Sequence, residues 1–298
     1  MKNDFIGKIK NHDEITNILH WLTSRPNRFL NSQAKSSICS KSEDHDIINS
    51  NIINNEDASM IGDSKQNLEF RVNWGSYTDD LASIAMPENW SNSTYPYNGI
   101  LKNYLIHTYK KLKLDNAVVS TPDYAIFNTG LFTKYYEPIY AFTTDEVNVI
   151  FLTEYYLASK GITSYPLRAN YFSKPEELIF DYHYKINVQY RHILEDEGNR
   201  DRFPSGILNS GNIVTILDGA IDTMKKRVSA NYKLAIPQYY DGKIQLLLPL
   251  CLLQDNIPDL ALVVTKAGSC YQGHTCLTLD MAYNNARLIA KPEGSWLS

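Results

Sequence analysis

Lys233-Leu-Ala-Ile-Pro-Gln-Tyr-Tyr240, then Asp241-Gly242, then Lys243-Ile-Gln-Leu-Leu-Leu-Pro-Leu-Cys-Leu-Leu253 is the stretch that decides the fold. Two apolar, β-rich runs flank an Asp-Gly pair, and Asp-Gly supplies the positive-φ residues a primed two-residue turn needs. An antiparallel hairpin is the expectation. Downstream, Asp259 to Lys266 and Thr275 to Leu279 read as a second strand pair joined by 267–273, and 280–290 as a closing helix. Upstream, Ile213, Ile216, Leu217, Ala220, Ile221, Met224 and Val228 recur at helical spacing. A helix is also expected through Ile100, Leu101, Tyr104, Leu105, Tyr109 and Leu112, with Lys110, Lys111 and Lys113 in its last turn, where cations suit the helix dipole. Residues 68–72 and 177–181 read as strands, 123–129 and 138–143 as a strand pair around Gly130, and 184–195 as a helix. Helices mixed with hairpin-connected strands give an α+β class: a largely antiparallel mixed sheet with packed helices in one domain, 68–298.

Ahead of that body the pattern changes. Residues 1–31 carry one short helix, with Asn11 as cap, Glu14 three residues on, and a stripe of Ile15, Ile18, Leu19 and Leu22. Residues 32–67 are rich in Ser, Asn, Asp and Lys, and their isoleucines keep no period. Such a segment buries too little apolar area to offset its ordering entropy, so a flexible insertion is expected there.

Composition narrows the class. The chain has 298 residues, 43% hydrophobic and 21% charged, which suits a globular core and excludes a collagen-like or wholly disordered protein. A net charge of −4 argues against a broadly basic nucleic-acid coat, but 29 Lys and Arg leave room for a local basic groove. No apolar run approaches the roughly 20 residues of a membrane helix. The N-terminus lacks the apolar core of a secretory signal, and four scattered cysteines do not form a disulfide framework, so a cytoplasmic location without membrane contact is expected.

Several phrases are distinctive as combinations: Arg25-Pro-Asn-Arg-Phe29, Pro87-Glu-Asn-Trp90, Phe127-Asn-Thr-Gly-Leu131, Arg168-Ala-Asn-Tyr-Phe172, Arg202-Phe-Pro204, 231–238, and above all Leu277-Thr-Leu-Asp-Met-Ala-Tyr-Asn-Asn-Ala-Arg-Leu288. Together they resemble the uncharacterised family called domain of unknown function 3825, from about Trp74 to Leu297. The resemblance implies domain extent more than chemistry. The joining of some members to RNA-binding modules points toward nucleic acid or nucleotides.

The residues themselves offer these candidates. On the terminal helix, Asp280, Asn284 and Arg287 lie along one face with Tyr283 beside them, a set able to organise a phosphate or a base edge. Asp280 would serve equally as a plain helix cap. Asn128 and Thr129 close an apolar strand at Gly130, where exposed amides suit an anion or ribose, or simply a turn. Between Arg168 and Arg202 lies His192, the best acid/base candidate because imidazole titrates near neutral pH. The alternative is a structural histidine. Cys270, His274 and Cys276 lack the second ligand pair a structural zinc site wants, so no metal is assigned, and no cofactor is identified. The 21 tyrosines suit base stacking as well as ordinary sheet surfaces, Tyr239 among them.

The leading expectation is recognition of a nucleotide or RNA phosphate, with Arg168, Arg202 and Arg287 on the phosphate. Asn128, Thr129 and Asn284 make polar contacts, and Tyr239 and Tyr283 stack. His192 and Asp280 would carry any metal-independent phosphodiester hydrolysis. A non-catalytic scaffold for RNA or a protein partner, and an effector acting on a host protein, are the alternatives.

Overall fold

The computed structural model describes residues 66–292 and 296–297, so the helix expected in 1–31 and nearly all of the 32–67 insertion lie outside the described residues. In chain order the elements are α1 (Thr78–Ile84), α2 (Gly99–Leu114), β1 (Val119–Ser120), β2 (Ala125–Phe132), β3 (Pro138–Thr143), β4 (Ile150–Leu152), α3 (Glu154–Ser159), β5 (Lys185–Val188), α4 (Tyr190–Glu195), α5 (Glu197–Arg200), α6 (Ser205–Leu208), α7 (Ile213–Ala230), β6 (Ile236–Tyr240), β7 (Lys243–Leu250), β8 (Leu260–Ala267), β9 (Cys270–Leu277) and α8 (Leu279–Ala286). The protein is α+β, with two sheets that are antiparallel at every pairing but one. No helix among the described residues is long and apolar enough to cross a membrane.

The deciding hairpin forms. Asp241 (φ 47°) and Gly242 (φ 75°) make its turn, and Tyr240 pairs with Lys243 across it. β6 begins only at Ile236, because Tyr232–Leu234 form a 3-10 turn capped by the Asn231 side chain. The hairpin widens into a five-stranded sheet of order β5-β9-β8-β7-β6. One face packs Leu246, Leu248 and Leu262 under α7, through Leu217, Ile221, Met224 and Val228. The opposite face packs Leu247, Ala261 and Val263 against Ala282 and Ala286 of α8. The α7 stripe read from its spacing is therefore the stripe that is buried.

The second sheet, β1-β2-β3-β4, is covered on both sides. Phe127, Leu131 and Ala141 face α2, while Ile126, Tyr140 and Phe142 face Leu157 of α3. Gly130 lies inside β2 rather than at the turn expected there. Its φ of 77° marks the point where the β2–β3 register slips, and the reversal falls in 133–137. A Cβ on Gly130 would sit 2.5 Å from the Tyr104 hydroxyl, which donates to the Thr129 carbonyl at 2.9 Å. Gly130→Ala is expected to cost about 2–3 kcal/mol, since the left-handed backbone and the displaced buried hydrogen bond cost about 1 kcal/mol or more each. Urea unfolding measures it; a loss well under about 1 kcal/mol would mean that Tyr104 moves aside freely.

Four expectations need correction. Residues 184–195 are not one helix: Ile186 and Val188 belong to β5, which pairs parallel to β9, and only 190–195 turn helical. Residues 177–181 are not a strand, since Pro175–Leu178 form a 3-10 turn whose opening proline fixes φ. Residues 68–72 run extended but join no sheet; Phe70 goes instead into an aromatic cluster with Trp74, Tyr109 and Phe127. The 267–273 connection is mostly strand, because Gly268 (φ 59°) lets β8 reverse into β9 within two residues.

Candidate functional site

Arg287 and Asn284 were expected at a phosphate, but both are buried in internal contacts. Arg287 Nε and Nη2 donate to the two oxygens of Glu88 at 2.5 and 3.0 Å, and both side chains are under 10% exposed. The guanidinium lies 4.6 Å from the Trp90 ring centroid and 4.8 Å from that of Tyr104. Burial alone would lower its pKa, but the hydrogen-bonded Glu88 carboxylate and the Tyr104 and Tyr283 hydroxyls outweigh that and hold it above the ordinary value. The Tyr283 hydroxyl also donates to Glu88, at 3.4 Å. The Glu88 carboxylate is thus held by Arg287 and Tyr283 together.

Asn284 belongs to a chain of carboxamides that crosses the molecule. Asn103 of α2 donates to Asn284 (3.2 Å), Asn284 to Asn285 (3.3 Å), Asn285 to Gln238 (3.1 Å), Gln238 to Gln245 (2.7 Å) and Gln245 to the Thr265 hydroxyl (3.1 Å). Asn128 and Thr129 are likewise internal. The Asn128 carboxamide accepts from Gly130 N and donates to Pro166 O, and the buried Thr129 hydroxyl donates to Ile139 O at 2.7 Å. They lie mid-strand in β2, not at a strand end.

The proposed acid/base pair lies near the C-terminal end of β9. His192 is exposed on α4, and the buried Asn199 carboxamide donates to its carbonyl at 3.2 Å. The Asn199 carbonyl accepts from Thr275 Oγ1 and from Arg202 Nη1, and that same nitrogen donates to Cys276 O at 2.9 Å. Asp280 does not cap its own helix; the Thr278 side chain does. Its carboxylate instead accepts from the Ser93 hydroxyl (2.5 Å) and from Thr94 N and Oγ1 (3.3 and 3.1 Å), tying α8 to the 93–94 loop. The Asp280 and Arg202 charges act in opposite directions on the Tyr95 hydroxyl, whose pKa burial raises. Asn199 thus links His192 to Arg202, Asp280 is tied instead to the 93–94 loop, Arg287 is sequestered against Glu88, and Arg168 is exposed on the connection after α3. Cys276 is fully buried, and burial pushes its thiol up to about 12, unsuited to the thiolate a metal needs.

A concavity that draws on other residues lies elsewhere. A cleft of about 390 Å³ opens between the 170–177 connection, Lys111 on the last turn of α2, and the turn end of the five-stranded sheet. Four lysines line it, Lys111, Lys174, Lys243 and Lys266, against one carboxylate, Glu177. Tyr171 and Tyr239 meet edge to face, with centroids 4.9 Å apart, and Lys111 Nζ stands 5.8 Å from the Tyr171 centroid. Lys111 is paired with Asp115 and Lys174 with Glu177, while Lys266 lies 5.1 Å over the Tyr184 ring. Among the described residues no carboxylate is paired with Lys243, which is exposed at the start of β7. Ile244, Leu246 and Val264 supply an apolar lining. Of the site residues expected from sequence, only Tyr239 lines the cleft. The lysines come from positions 111 to 266, and nothing in sequence marks them as neighbours.

A family model described as a domain of unknown function (DUF3825) matches residues 81–296. No curated protein and no solved structure matches the chain.

Proposed function

We propose, for a chain that belongs to the DUF3825 family, that the lysine- and tyrosine-lined cleft recognises a phosphate-bearing nucleotide. The observation that carries this reading is the convergence of four ammonium groups from separate elements beside two tyrosine rings, in a cavity of about 390 Å³. Ammonium groups attract phosphate as point charges, and aromatic faces accept any base. A mononucleotide fits within that space, its planar part against the half-buried Tyr239 ring, which the buried Tyr171 backs edge to face, and its phosphate toward Lys243 and Lys266. The reading is recognition rather than turnover: the lining includes no histidine, and its single carboxylate, Glu177, is held by Lys174 at 3.2 Å. The alternative of phosphodiester hydrolysis would rest on His192 and Asp280, neither of which lines the cleft.

Fluorescence titration with a mant-labelled adenosine monophosphate tests it. Lys243→Glu with Lys266→Glu is expected to weaken binding about 10- to 100-fold with no change in Tm, since both residues are exposed. Affinity should also fall as salt rises, because added ions screen the attraction between ammonium groups and phosphate. Binding that ignores both the charge reversal and the salt would place the nucleotide elsewhere or nowhere.

A further inference from the structure

Basic and aromatic groups continue beyond the cleft in one direction. Tyr271 lines the cleft, and its hydroxyl accepts from Asp181 N at 3.0 Å, which fixes the 181–184 turn at the cleft's edge. Lys266, also in the lining, lies over the Tyr184 ring, and Lys225 of α7 donates to the Tyr184 carbonyl at 3.1 Å. On the same turn Tyr182 and His183 stack with centroids 4.2 Å apart and planes at 30°, the tyrosine 44% exposed and the histidine more so. The one carboxylate of the turn, Asp181, is engaged by His183, accepting from its backbone N–H at 3.0 Å and from its ring at 2.8 Å. An exposed stacked pair beside lysines on the rim of a cationic cleft is the arrangement that accepts successive bases while ammonium groups follow the phosphates.

Resting on the cleft's nucleotide reading, we propose that the occupant is a single-stranded polynucleotide, with one nucleotide in the cleft and the next ones running over Lys266 and Tyr184 onto the Tyr182–His183 platform. Charge complementarity favours this occupant. Lys225 and Lys266 flank the path, and a mononucleotide would leave the platform unused.

Fluorescence anisotropy with labelled oligouridylates of one, two, four and eight nucleotides, on the full chain at low salt, tests the extension. Affinity should rise with length up to about four nucleotides. Tyr182→Ala with His183→Ala should weaken the four-nucleotide probe about 5- to 150-fold, the range expected for one stacked base, and leave the single nucleotide unaffected. Equal affinity at every length, or a platform variant that binds the four-nucleotide probe as well as the unaltered protein does, overturns the extension and leaves the cleft reading standing. Failure of every length to bind overturns both readings. Because the two replaced side chains are exposed, unchanged thermal unfolding of the variant confirms that the comparison is between folded proteins.

Discussion

Glu88→Ala is expected to lower the unfolding free energy by about 3–5 kcal/mol, the usual consequence of removing one partner from a buried ion pair. Arg287 would keep its charge between the Trp90 and Tyr104 rings with no carboxylate to meet it. Arg287→Ala should cost a similar amount, because Glu88 is then the stranded charge and the two aromatic rings lose the group that fills the space between them. The double change Glu88→Leu with Arg287→Met should do less damage than either alanine alone, since no charge is left buried and a thioether packs well against aromatic rings. Urea unfolding of the unaltered protein, the two alanine variants and the double alanine variant gives the coupling energy directly. A strictly additive pair of losses would mean that the charges do not depend on each other, against the 2.5 and 3.0 Å contacts.

The second large effect belongs to Phe127. Its ring is fully buried and lies 5.1 Å from Phe70, 5.5 Å from Trp74 and 5.3 Å from Tyr109. These rings come from the extended lead-in, the turn before α1, α2 and β2, so one side chain joins four parts of the chain. Phe127→Ala should cost about 3–5 kcal/mol through lost burial and the cavity left behind. Phe172→Ala, at a position 49% exposed, is the matched control and should change stability by less than about 0.5 kcal/mol. Comparable losses at the two positions would contradict the assignment of the aromatic cluster as core.

Local chemistry made much of this fold legible. Asp241-Gly242 dictates its own turn, and α2 and α7 announce themselves by apolar spacing, because each signal lies within a few residues of the structure it specifies. The misreadings share one cause. Ile186 and Val188 alternate over too few positions to outweigh a helical reading, and what makes them a strand is β9, more than 80 residues away. Phe70 looks like a strand residue until α2 and β2 surround it. The candidate site was harder still. An arginine reads as a phosphate ligand until a carboxylate such as Glu88, 199 positions away, is found against it. A lysine on a strand end reads as ordinary surface until three others converge on the same space. Tyr239 was legible because its neighbourhood is already aromatic in sequence.

The carboxamide chain from Asn103 to Thr265 has a consequence best put in terms of information. A carboxamide offers one oxygen to accept with and one nitrogen to donate with. Along this chain Asn103 donates, Asn284, Asn285, Gln238 and Gln245 each accept from one neighbour and donate to the next, and the Thr265 hydroxyl accepts. Turning over a single member sets oxygen against oxygen on one side and nitrogen against nitrogen on the other. Only two arrangements therefore satisfy the links, all forward or all reversed, and the side chains together store one bit rather than five. Whether the Thr265 hydroxyl accepts from Gln245 or donates to it is then already written in the orientation of Asn103, on a helix that packs against the other sheet.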